Sequence, residues 1–239
     1  MKVLALFFLV GAAAYVVFEI VRVRGLVMRS KALIDSAHSF EAREGALSIL
    51  VLGDSTAVGI GALSEENVAG RLAHALNASV ENHAESGALS GDISAQLSSA
   101  ARKRYDVVLI QVGANDVIRM RSLSEASEHA EVFLRQAREL SEHVVLLTAG
   151  KIGEAPIFPR AIAWIFTRRA GSLRERFIAA AREQDALYVD LFAKAERFQD
   201  AEYAPDALHL SQSGYEKWFR VVEREMRTRW PEVFIHARD

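Results

Sequence analysis

From residue 47 onward, short apolar runs alternate with stretches in which apolar residues recur every three or four positions. The runs at 48–52, 78–82, 106–112, 143–148 and 186–191 are short and mostly apolar, the central ones rich in Val, Ile and Leu and nearly continuous. That is the pattern of parallel strands covered on both faces. Between them, 67–76, 90–103, 122–141 and 173–183 predict amphipathic helices. A last helix is predicted over 213–229, with Ser213 as N-cap and Pro231 beyond its end. Such alternation predicts an α/β domain with an open parallel sheet of about five strands and helices on both faces. Right-handed crossovers then gather the carboxyl ends of the strands at one edge, where ligand sites form. One segment breaks the rhythm: 151–169 (KIGEAPIFPRAIAWIFTRR) is too long and too apolar for a simple loop.

The N-terminus follows a different pattern. From residue 3 to residue 20 the chain is apolar apart from Tyr15 and Glu19, long enough as a helix to cross most or all of a bilayer. A signal peptide is the competing reading, but the apolar run continues through Tyr15, Val16, Val17 and Phe18, past the expected cleavage position. The chain therefore divides into a transmembrane helix as membrane anchor (1–22), a linker (23–46) and one globular domain (47–239). Arg22, Arg24, Arg29 and Lys31 follow the apolar run, against Lys2 before it, which predicts a cytoplasmic domain. A periplasmic or secreted domain is the alternative.

Composition narrows the chemistry. The formal charge of −2 gives no reason to expect nucleic acid as a partner. The absence of cysteine excludes disulfides, thiolate metal sites and cysteine nucleophiles. At 239 residues the chain suits a single domain. Its sequence sets no oligomeric state.

The first predicted strand ends in Gly53-Asp54-Ser55, so the Ser55 hydroxyl stands at the carboxyl edge. Alone, such a serine is as readily a turn or cap residue. Its partners come after the fifth strand, in Asp206-Ala207-Leu208-His209. This spacing places a carboxylate and an imidazole on one compact loop. A hydroxyl becomes a nucleophile when a base takes its proton, and histidine is poised to do so near neutral pH. Donors for a developing oxyanion are offered by Gly87, after the second strand, and by Asn115 in Gly113-Ala114-Asn115-Asp116, after the third.

Taken in their order along the chain (G-D-S, the isolated Gly87, G-x-N-D, D-x-x-H), these four segments resemble the SGNH (GDSL-type esterase/lipase) hydrolase family over about 48–229. The resemblance implies a three-layer α/β/α, flavodoxin-like fold. It implies Ser55 as nucleophile, His209 as base, Asp206 as its orienting carboxylate, and the Ser55 and Gly87 N–H groups with the Asn115 amide as oxyanion hole. No cofactor or metal is implied. Thr56 stands where many members have leucine, and Leu210 follows the histidine where proline is frequent. Glu85, close to Gly87, would oppose the oxyanion if it pointed inward, and Asp116 reads as structural.

Other hydrolase and ligand-binding readings fail on pattern. An α/β-hydrolase places its G-x-S-x-G serine after several strands, not the first. Gly59-Ile60-Gly61 lacks the rest of a dinucleotide fingerprint, and no metal-ligand spacing is present. A membrane-tethered binding module with a decayed site is the alternative from another class. For the substrate, Ile157, Phe158 and Trp164 are candidates to wall an acyl pocket, pointing to a small-molecule or lipid ester such as a lysophospholipid or thioester. An ordinary amphipathic helix packed on the core is the competing reading of that segment, and carbohydrate O-acetyl esters are the alternative substrate.

Overall fold

A computed structural model describes residues 2–235, excluding the side chains of residues 2–6 and 8. Five strands, β1 (Leu47–Gly53), β2 (Ala78–Asn82), β3 (Val107–Gln111), β4 (Val144–Leu147) and β5 (Leu187–Val189), form one sheet in the order β2-β1-β3-β4-β5. Every pairing within it is parallel. The chain winds outward in both directions from β1, so the crevice between the ends of β1 and β3 is the place where such a sheet holds a ligand.

Among the described residues ten α-helices accompany the strands. They are α1 (Lys2–Ser36), α2 (Ser55–Val58), α3 (Val68–Leu76), α4 (Ile93–Ser98), α5 (Ala114–Ile118), α6 (Leu123–Leu140), α7 (Arg160–Glu183), α8 (Leu191–Lys194), α9 (Gln212–Arg229) and α10 (Pro231–Ile235). Alternation along β1 separates two cores. Ile49 and Val51 pack with Leu72 and Leu76 of α3 and with Tyr215, Trp218 and Val222 of α9. Leu50 and Leu52 pack on the other face with Leu97 of α4, Phe133 of α6 and Leu173 and Phe177 of α7. This is the expected three-layer α/β/α architecture. Its helix ends are fixed locally: the Asn67 side chain accepts from the Gly70 N–H before α3, and Ser122 Oγ accepts from Glu125 N–H before α6.

Three expectations change. Helix α4 ends at Ser98 instead of continuing to residue 103. Ser98 and Ser99 turn their hydroxyls back onto the Ser94 and Ala95 carbonyls, and the Ala101 N–H leaves to meet Glu81. Helix α7 begins directly after Pro159 and absorbs most of the irregular apolar segment. Its buried positions Phe166, Ala170, Leu173, Phe177 and Ala181 recur every three or four residues and pack the helix on the core, Phe166 being the one that belongs to that segment.

The third change concerns the N-terminus. Helix α1 runs unbroken through most of the expected linker. Its half-buried positions, Glu19, Arg22, Val23, Leu26, Ser30 and Leu33, form one stripe laid on the domain. The transmembrane anchor is not supported: among the described residues no helix is long and apolar enough to cross a membrane. From Phe7 on, any stretch of spanning length takes in Glu19, Arg22 and Arg24; the start of the expected span lies outside the described side chains. What remains of the linker, 37–46, crosses the sheet edge, where Ala42 bridges antiparallel to Val80 of β2.

Candidate active site

The end of β1 positions the serine. Gly53 adopts φ +142°, and a Cβ there would lie 2.0 Å from the Gln111 carbonyl oxygen, so only glycine fits beside β3. Asp54 then caps α2, its Oδ1 accepting from the Thr56 N–H at 2.9 Å and the Thr56 hydroxyl at 2.8 Å. Ser55 is thereby held as the first residue of a short helix, with its hydroxyl toward the crevice. Burial pushes the Asp54 carboxyl up to about 6, although the two Thr56 hydrogen bonds pull the other way.

The loop between α8 and α9 supplies the other two groups. Asp206 Oδ1 accepts from the Leu208 and His209 N–H groups at 3.1 and 3.0 Å, so the carboxylate shapes its own loop. Its Oδ2 accepts a hydrogen bond from the His209 Nδ1–H at 2.5 Å. That contact fixes the tautomer and leaves Nε2 free to accept from Ser55 Oγ at 2.9 Å. Burial raises the Asp206 carboxyl, but the His209 bond and charge and the loop N–H donors outweigh it, holding the group below the usual carboxylate range. Both side chains are buried, Asp206 completely. Tyr215 of α9 donates to the Ile60 carbonyl and ties this end of the chain to the serine turn.

Gly87 and Asn115 reach the same crevice and line one cavity with Ser55 and His209. Gly87 sits at φ +87°, in the left-handed region. Asn115 Nδ2 donates to the Ala88 carbonyl at 3.0 Å, which ties the two donor segments together and leaves its second hydrogen for a ligand. Asp116 completes the brace, accepting from the Ser90 N–H at 3.0 Å and the Ser90 hydroxyl at 2.8 Å. Burial raises its carboxyl. Glu85 is exposed and does not line the cavity, so it does not oppose an oxyanion.

The remaining expected site residues stay out of this cavity, which measures about 220 Å³. Ile157 is buried and pairs its N–H with the Ala207 carbonyl; Phe158 stacks on Phe166; Trp164 is 60% exposed on α7. Its apolar walls come instead from Ile152, Leu191, Phe192, Phe198 and Trp218, with Ile34 of α1. Sequence pattern does not reveal these residues, because they lie on separate elements that meet only in the fold. Among the described residues no group of three acidic or histidine side chains could hold a metal ion.

A hydrogen-bonded Ser-His-Asp relay beside convergent amide donors, at the switch point of a parallel sheet, is the architecture of an SGNH-type ester hydrolase. The GDSL-like lipase/acylhydrolase family model matches residues 51–217, and the chain belongs to that family. It is an ester-hydrolysing enzyme.

Solved structures agree at the level of fold. Axe2, an acetylxylan esterase from Geobacillus stearothermophilus, is 19% identical with a TM-score of 0.59, over 80% of this chain and 95% of its own. TesA is 19% identical with a TM-score of 0.63, over 76% of this chain and 98% of its own. A lipolytic G-D-S-L family member from Veillonella parvula is 14% identical with a TM-score of 0.62, over 74% and 96%. Curated proteins gave no match.

Proposed function

We propose that the chain is a serine esterase acting on acyl esters of a lipid-like alcohol, with Ser55, His209 and Asp206 as its catalytic triad. The observation that carries this reading is the Ser55–His209 contact of 2.9 Å at the floor of a largely apolar cavity. Ser55 Oγ attacks the ester carbonyl while His209 Nε2 takes its proton. The Ser55 and Gly87 N–H groups and the Asn115 amide receive the oxyanion. Collapse expels the alcohol, which takes the proton from His209 and leaves Ser55 acylated. A water, deprotonated by His209, then releases the acid and restores the hydroxyl.

The cavity volume of about 220 Å³ lies below the ~300–1,000 Å³ of pockets for drug-sized ligands. This favours a single acyl chain, as in a lysophospholipid or thioester, over a bulkier ester. O-deacetylation of a carbohydrate is the second reading. The polar side chains Ser86, Arg119 and Glu154 along the cavity favour it, as does the likeness to an acetylxylan esterase.

Membrane association through α1 belongs to the same proposal, as a helix attached to the membrane without a demonstrated span. Phe7, Leu9, Val16, Val17, Phe18 and Val21 are all more than half exposed, an apolar surface that suits a bilayer interface. The basic residues that follow support a cytoplasmic domain, which a C-terminal fusion reporter tests.

Hydrolysis of p-nitrophenyl esters from acetate to dodecanoate, with Ser55→Ala as control, tests the chemistry. Turnover lost in Ser55→Ala, with an optimum above acetate, is the expected result. Full turnover in that variant ends the proposal, and a rate that falls steadily from acetate selects deacetylation.

A further inference from the structure

Helix α1 does more than extend the domain: it meets the cavity that holds Ser55. Ser30 and Ile34, one turn apart, both line that cavity, together with Ser55 and His209. The helix is fixed there from both sides of the seam it crosses. Arg22 donates to the Pro156 and Ile157 carbonyls at 2.8 and 3.1 Å, and Glu19 Oε2 holds its guanidinium at 2.7 Å. Farther along, Arg29 donates to the carbonyl of Pro205, the residue before Asp206, at 3.3 Å. The two loops so joined also meet directly, through the Ile157 N–H and the Ala207 carbonyl at 2.9 Å. From Arg22 to Ile34 the helix covers about 18 Å. All of it lies before the matched family residues, which begin at 51.

We infer that α1 is the outer wall of the substrate cavity, and that Ile34, with Ser30 beside it, determines which acyl lengths the enzyme accepts. The inference rests on the esterase reading above and adds a specificity element outside the family's own residues. Ile34 is 37% exposed, so its side chain is neither locked in the core nor free in solvent. Enlarging it extends the wall into the space an acyl chain would take, and trimming it opens that space. Arg22 is a positioning residue, since it touches carbonyls of the post-β4 loop and not the cavity.

The test uses the full chain and p-nitrophenyl acetate, butyrate, octanoate and dodecanoate, reading the ratio of kcat/KM on dodecanoate to that on acetate. A single methylene in an apolar pocket changes discrimination by about 10–200-fold. Ile34→Trp should therefore lower the ratio at least about tenfold, and Ile34→Ala should move the optimum toward longer chains. Arg22→Ala should weaken selectivity through a changed KM for the long esters, with little change in kcat. Unfolding of Ile34→Trp, seen by its melting temperature, passes the decision to Ile34→Ala. An unchanged ratio in a folded Ile34 variant overturns the inference while leaving the esterase intact. A wild-type chain with no Ser55-dependent turnover on any ester overturns the esterase reading itself.

Discussion

Asp54 and Asp206 flank the same serine yet are driven in opposite directions, and the difference is one of hydrogen bonding. Asp206 receives two backbone N–H groups and the His209 proton, so its charged form is the satisfied one. Asp54 receives both its bonds on Oδ1, leaving Oδ2 buried without a partner. Asp206→Asn should keep the shape of the loop, because Oδ1 can still accept, but would give His209 the wrong tautomer. A fall in kcat of about 10⁴-fold is expected, with the melting temperature nearly unchanged; a fall under tenfold would remove Asp206 from the triad. For Asp54, the folded value of about 6 lies above the ordinary 3.8. The folded state thus retains a proton that the unfolded chain loses, and this contribution to stability is complete below pH ~4 and lost as pH rises through about 6. Above that pH the buried carboxylate costs on the order of 3 kcal/mol. Asp54→Asn should therefore gain melting temperature relative to wild type as pH rises from 4 to 7, partly offset by its own unpaired amide. A difference that does not vary with pH would show that Asp54 is not protonated in the fold.

Short elements carry the site, and long ones only carry the elements. The carboxylate of Asp116, at the start of α5, holds Ser90, while the adjacent Asn115 holds Ala88. One turn of helix thereby fixes the segment that presents Gly87. Asp116→Ala would leave two Ser90 donors unpaired and free that segment. A kcat reduced about tenfold is expected, less than the ~10²–10³ for deleting an oxyanion donor outright, with substantial recovery in Asp116→Asn. If kcat stays within twofold of wild type, Asp116 is only a packing residue. This scale also explains what the sequence could disclose. That Ser55, Asp206 and His209 would meet was readable because each sits in a compact motif at a strand or loop end, where few residues decide the geometry. The central strands β1, β3 and β4 were readable because burial on both faces leaves nearly continuous apolar runs. Helix α4 was overestimated because its serines compete for the backbone, a local contest that apolar spacing does not register. Ile157, Phe158 and Trp164 do not line the cavity, because apolar character alone does not say whether a residue packs inward, as Ile157 and Phe158 do just before α7, or faces outward, as Trp164 does on it.

At the scale of the whole molecule, α1 joins two regimes within one helix. Up to Val17 its described side chains are exposed on every side; from Glu19 a stripe at helical spacing meets the hydrolase domain. The earlier part is the apolar stretch that suggests a membrane, and the stripe was hidden because two of its members, Glu19 and Arg22, are charged and because Arg22 reaches the Pro156 and Ile157 carbonyls only across the fold. Val23, Leu26 and Leu33 are the apolar members of that stripe, and each is half-buried. Half-burying a leucine stabilises docking by about 1 kcal/mol, and an aspartate in its place adds the cost of a partly desolvated charge. Leu26→Asp should therefore release α1 while the two cores, which contain no residue of α1, keep their cooperative melt. Arg24, Arg29 and Lys31 then report on the helix, since trypsin cuts where backbone opens and opening is governed by local stability. Loss of about 1.4 kcal/mol of docking corresponds to roughly tenfold faster cleavage. Full-length chain treated with trypsin under native conditions should lose its N-terminal segment about that much sooner in Leu26→Asp than in wild type. Equal cleavage rates would mean that α1 is not held on the domain by its apolar stripe.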